Sequence, residues 1–314
     1  MSEIKDLENT KKERKKVPFT DSIFFVIALT MLLYFGVCTV LCKLLVKAIH
    51  PMLADSSISD AIVFIIENYL VRIIQFVGVI LYTYFVKKNR YIYDSFKPHY
   101  ENNGFGTLAL GLVIGFVMNG ICVLIAVIHG DIQLSFGLTA SQIPVLIFAL
   151  VCVFIQSASE EMWYRGFLYE RVHANYPLWL AIFLSSAIFG FGHLFNKGVS
   201  FLAIMNIVVI GLAFALAKWF SKSIWLLFGI HTGWNFTQNF IFGLPNSGRA
   251  SQVSVFTLDE ANASGGLIYD PVFGVEGAIT QLIVAVLLAV ICFVLIKKAG
   301  RTAELKQSSG KASS

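Results

Sequence analysis

Apolar residues run through this 314-residue chain in long stretches separated by short polar turns. Eight stretches stand out, over 23–47, 61–86, 105–129, 144–171, 178–195, 199–219, 223–243 and 275–296. Each is close to the roughly 20 residues that a helix needs to cross a bilayer core. The first is longer than the 7–15-residue apolar core of a signal peptide, so it reads as an uncleaved span. The pattern predicts an all-α, polytopic integral membrane protein with about eight transmembrane helices. It divides into a basic tail (1–20), N-terminal transmembrane helices (21–130), a second group of helices (142–243) and a last helix (274–298). The Ser-, Gly- and Asn-rich stretch 244–273 reads as a flexible exocytoplasmic connector, and 299–314 as a polar, disordered tail.

Composition agrees. Hydrophobic residues make up 57% of the chain and charged residues 14%, with a mean hydropathy of +0.74. A soluble domain carries roughly 25% charged residues, so a soluble enzyme, a disordered chain and a collagen-like rod are excluded. The net charge of +5 does not indicate nucleic acid, because the basic residues collect in tails and short loops. Nineteen of the 24 fall in the N-tail, the 87–104 loop, 165–177, the 218–222 turn and the C-tail. Lys43, Lys47, Lys197 and Arg249 lie on the other side, and Arg72 within a span. Positive residues mark the cytoplasmic side, so the reading is a multi-pass protein of the cell membrane with both termini cytoplasmic and the lipid bilayer as its first partner. The five cysteines all fall in apolar runs, with no C-x-x-C pair, and read as buried free thiols.

Ionisable residues inside a membrane are costly and usually functional, and here they concentrate in three helices. The fourth stretch contains Gln156-Ser-Ala-Ser-Glu160-Glu161-Met-Trp-Tyr-Arg165, the fifth Phe189-Gly-Phe-Gly-His193, and the seventh His231-Thr-Gly-Trp-Asn235. Glu161 and Arg165 are one turn apart and share a face. Glu160 points about 100° away and is left without that partner. One paired and one unpaired carboxylate suit a structural acid beside a general base. Such a set fits hydrolysis by an activated water: Glu160 would take a proton, His193 would share it, and His231 and Asn235 would donate to the oxyanion. Glu160, His193 and His231 could instead ligate a divalent metal such as zinc. A proton- or cation-coupled transporter using the same residues as a relay, and a non-catalytic immunity protein, are the alternatives from other classes. Glu67 and Arg72 read as a local structural pair, and His129 and His173 as interfacial.

The ordered motifs Glu160-Glu161…Arg165, Phe189…His193 and His231…Asn235 on successive apolar helices resemble the CAAX-protease and bacteriocin-processing family of intramembrane proteases, which includes the Ras-converting endoprotease. The resemblance covers about 142–240 and makes 142–243 the catalytic core. It implies endopeptidase action on a membrane-associated protein or peptide, in peptide maturation or bacteriocin immunity. It implies Glu160 as the base acting together with His193, the pair His231 and Asn235 as the oxyanion site, and Glu161 and Arg165 in support. Both a metal-dependent and a metal-free glutamate mechanism fit it. One tension stands in upright helices. His193 lies about 22 Å from the start of its helix and His231 only about 10 Å into its own. The resemblance suggests entry from the cytoplasmic side.

Overall fold

The computed structural model describes residues 17–310; most of the basic N-tail and the last four residues lie outside this range. Six helices are long and apolar enough to cross a membrane: α1 (Ile23–Ala54), α2 (Asp60–Phe85), α3 (Phe105–His129), α4 (Ala140–Asn175), α6 (Phe201–Ser221) and α8 (Ile279–Lys298). Two shorter helices complete the bundle, α5 (Leu178–Phe191) and α7 (Ile224–Phe236), the latter extended by a π turn, Thr237–Ile241. The protein is an all-α, multi-pass membrane protein. Its one strand pair among the described residues, β1 (Leu134–Phe136) with β2 (Phe256–Leu258), is a small antiparallel ribbon outside the helices.

Successive helices alternate between two ends of the bundle. The face that carries both described chain ends is knitted by polar contacts. Arg171 reaches Asp21 at 2.6 Å, Trp219 donates to Glu304 at 2.8 Å, and Leu178 N–H donates to the Gln307 carbonyl. We call this the terminal face. Residues 299–310 therefore dock here, through a 3₁₀ turn at Thr302–Lys306, where the sequence suggested a disordered tail. The opposite, loop face holds the β1–β2 ribbon and the long 242–278 segment. That segment is not a free connector: Asn206 on α6 donates to the Glu276 and Ala278 carbonyls, and Asn239 to the Leu244 and Arg249 carbonyls.

The closest helix pair is α3 with α7. Both carry a Gly-x-x-x-Gly step, Gly111–Gly115 and Gly229–Gly233. A Cβ on Gly111 would come 2.9 Å from Gly229 Cα, and one on Gly229 2.8 Å from Gly111 Cα. Small residues at this spacing let backbones touch, which is how helices gain packing energy where lipid removes the hydrophobic drive. The contact fixes α7, and with it His231 and Asn235, at backbone precision. Asn103 sets where α7 starts, its Oδ1 accepting from Ser223 Oγ and from Ile224 N–H.

In α4 a π turn spans Met162–Leu168, directly after the two glutamates. Such turns insert a residue into the helix and are frequent at functional sites. Every side chain from Met162 to Leu168 is buried. The five cysteines are buried and unpaired.

Candidate active site

Glu160 and Glu161 leave α4 in different directions. Glu161 is wholly buried, and its Oε1 accepts from two donors: Arg165 Nη1 at 3.1 Å and His231 Nδ1 at 2.9 Å. Arg165, counted from the sequence among the cytoplasmic basic residues, is instead fully enclosed in the bundle. Its guanidinium lies 4.2 Å from the Phe189 ring centre, and Nε and Nη2 have no hydrogen-bond partner. The ring face and one shared carboxylate oxygen hold this charge.

Glu160 turns into a cavity of about 320 Å³. Gln156, one turn back, donates Nε2–H to its Oε1 at 2.7 Å, and Oε2 lies 3.8 Å from His231 Nε2. A single water can bridge two groups at that separation. Because Nδ1–H of His231 is given to Glu161, its Nε2 is the atom that meets the cavity. With both ring nitrogens protonated, this imidazole can donate from Nε2 into the cavity.

His193 lines the same cavity. Its Nδ1 donates to the Phe189 carbonyl at 2.9 Å, which leaves Nε2 as an acceptor. That bond folds the imidazole back along α5. Phe189 then sits between both histidines, with ring centres at 4.9 Å from His193 and 6.1 Å from His231. Despite their different counts along upright helices, both histidines line the one cavity. Asn235, one turn after His231, donates to Gln156 Oε1 at 3.1 Å and more weakly to Ser157 Oγ at 3.5 Å, and accepts from Asn246 Nδ2 at 3.2 Å.

All six residues singled out in the sequence therefore gather around one spot, four of them lining the cavity and Glu161 and Arg165 behind it. Others are recruited that the sequence reading did not assign. Gln156 bridges Glu160 and Asn235. Glu276, just before α8, accepts from Trp234 Nε1, Asn246 Nδ2 and both the N–H and hydroxyl of Ser247. Burial nevertheless pushes its carboxyl above the usual carboxylate range. Arg72 does not pair with Glu67; that carboxylate meets His50 at 2.7 Å, while Arg72 lines the cavity with Arg249 and Lys43. Among the described residues neither Arg72 nor Arg249 has a carboxylate within ion-pair distance. Burial and the charge of Arg72 lower the pKa of Arg249. The loop end of the cavity is thus cationic and suited to a carboxylate. Only Gln156, spaced i−4 from Glu160, was open to a periodicity argument.

The metal alternative has a geometric requirement: three ligands must meet at one point about 2.0–2.2 Å away. Among the described residues no three His, Cys, Asp or Glu side chains are so arranged, and the Nδ1 of each histidine is already given to another acceptor.

Residues 142–237 match the family model described as type II CAAX prenyl endopeptidase, Rce1-like. This segment runs from the first turns of α4 into the π turn after α7, so it contains all six residues. The match covers about a third of the chain, and over that segment the chain is similar to this endopeptidase family. No curated protein matches the chain.

Proposed function

We propose that this chain, similar to CAAX-family proteases over residues 142–237, is an endopeptidase that hydrolyses a peptide bond of a membrane-associated polypeptide with a water activated by Glu160. The observation that carries this reading is the facing pair Glu160 Oε2 and His231 Nε2, 3.8 Å apart at the wall of a cavity that His193 and Asn235 also line.

The roles follow from which atoms are free. Glu160 Oε2 and His193 Nε2 are both acceptors, and a water has two hydrogens to give them. As the water oxygen attacks the scissile carbonyl carbon, its proton passes to Glu160. The carbonyl oxygen becomes an oxyanion, which His231 Nε2–H and the Asn235 amide meet as donors; Asn235 gives up its long bond to Ser157 to do so. Glu160 then returns the proton to the amide nitrogen, the C–N bond breaks, and a carboxylic acid and an amine leave. Glu161 and Arg165 do not touch substrate in this scheme. Glu161 holds the His231 ring in orientation and favours its charged form.

Comparing the peptides of membranes that hold the wild type with those that hold Glu160→Gln tests the reading. A precursor should accumulate with the variant, and the variant should be folded and inserted. Full cleavage by Glu160→Gln would refute it.

A further inference from the structure

The cavity has a definite direction in the bundle. Its polar lining comes from the middle of the helices and from the loop face: Asn196 after α5, and Asn246, Ser247, Arg249 and Glu276 in the 242–278 segment. Nothing from the terminal face contributes, neither the 86–104 turn, the 218–223 turn nor residues 299–310. Toward that face the way is closed by the continuously buried turn of α4, where Trp163, Arg165, Phe167 and Leu168 are at most 1% exposed. The cavity therefore opens at one end only, away from the described chain ends. Phe195, 96% exposed, forms an apolar lip at its mouth.

The charges orient the two faces. Basic residues of the terminal face cluster in its short segments, at 87–97, 218–222 and 297–306. The loop face carries Lys43, Lys47, Lys197 and Arg249, and two of its cations, Lys43 and Arg249, are taken up in the cavity wall. Lys and Arg within short loops set orientation, the richer side staying cytoplasmic. The terminal face is the richer by this measure even without the residues before Val17.

We propose that the cavity opens on the exocytoplasmic side of the membrane, and that the polypeptide cleaved there is one already exported to that side. This rests on the protease reading for the word cleaved, but not for the direction of the opening. The substrate class follows from the mouth: an exported polypeptide held at the lipid surface, its apolar part against Phe195 and its chain reaching inward past Arg249 and Arg72. It is the opposite of the cytoplasmic entry that the family resemblance suggests.

Substituted-cysteine labelling decides the direction without any need for cleavage. The native thiols are buried, so the wild type serves as the blank. Ala250→Cys and Asn196→Cys place a thiol at the mouth, and Ser308→Cys places one on the terminal face. A membrane-impermeant maleimide applied to intact cells should label the first two and should reach Ser308→Cys only after permeabilisation. Labelling of Ser308→Cys in intact cells, or of the two mouth variants only after permeabilisation, overturns the proposal. So does equal labelling of both faces, which would mean mixed insertion. Detergent-unfolded samples supply the full-labelling reference for each variant. If the labelling is as expected but Glu160→Gln leaves every peptide unchanged, the direction stands and the protease reading fails.

Discussion

Glu161→Gln removes a charge that two partners share. Its carboxylate is the only anion within ion-pair distance of the buried Arg165 among the described residues, at 3.1 Å, and it also receives His231 Nδ1–H at 2.9 Å. A glutamine oxygen can still accept from His231, so the main loss falls on Arg165, left as an uncompensated cation with no exposed surface. Breaking a buried pair by removing one partner costs about 3–5 kcal/mol, whereas a hydrogen bond in a membrane protein is worth about 0.6 kcal/mol on average. The two accounts are therefore well separated. The expected loss lowers the folding equilibrium by roughly two to four orders of magnitude. Adding Arg165→Met removes the stranded charge and keeps the volume, so the double variant should recover to within about 1–2 kcal/mol of the wild type. Equilibrium unfolding in mixed micelles, followed by tryptophan fluorescence, measures all four corners of the cycle. Activity should not recover with stability. Both variants lack the negative charge that favours the His231 imidazolium, so kcat should stay about 10²–10⁴-fold down in each. Additive stabilities, with the double variant worse than either single one, would refute the argument that Glu161 neutralises Arg165.

Asn235→Ala should lower kcat by about 10²–10³-fold with little change in KM, as expected for a donor engaged mainly in the transition state; a raised KM with kcat unchanged would assign it to ground-state binding instead. Arg72→Gln and Arg249→Gln should raise KM for peptides that carry a carboxylate near the scissile bond and leave amidated analogues unaffected, as initial rates on paired peptides will show. Gly115→Leu should destabilise by about 1–3 kcal/mol, since its Cβ would run into the Ile230 carbonyl of α7; an unchanged unfolding midpoint would contradict the α3–α7 contact. Glu276 binds its proton more tightly folded than unfolded, so wild-type stability should fall as pH rises from the usual carboxylate range through its raised value. Glu276→Gln should remove that slope from an unfolding series in pH.

The residues the sequence exposed most clearly are those whose geometry one helix dictates. Glu161 with Arg165, and His231 with Asn235, are i, i+4 pairs, and each lies on one face of its helix in the structure. Arg72 was misjudged because it is five residues from Glu67, a spacing that leaves a helix face. A 3₁₀ step at Leu70–Arg72 turns it further, toward the cavity. That His193 and His231 share a cavity could not be read from residue counts, which place them at different depths in upright helices. Glu276, Asn246 and Arg249 carry no periodic signal at all. They sit in a polar stretch that looks like any connector, and only the hydrogen bonds it makes with α6, α7 and the π turn after α7 reveal it as a wall of the site. The six long helices follow from hydropathy. The shorter α5 and α7 also lie within apolar stretches of the sequence, and where α7 begins and how closely it packs are set by Asn103 and the glycine contact.

That glycine contact also bears on how a substrate could be admitted. With backbones touching at two successive turns, α3 and α7 have no side-chain cushion to slide on, so they must travel as a single strut. The His231 and Asn235 donors ride on that strut and stay fixed relative to α3. Whatever breathing admits a polypeptide must then come from the cavity's other wall, where α1 and α2 present Tyr34, Asn68 and Arg72. A covalent tie between α3 and α7 should leave turnover untouched, while one between α2 and the 242–278 segment should throttle it.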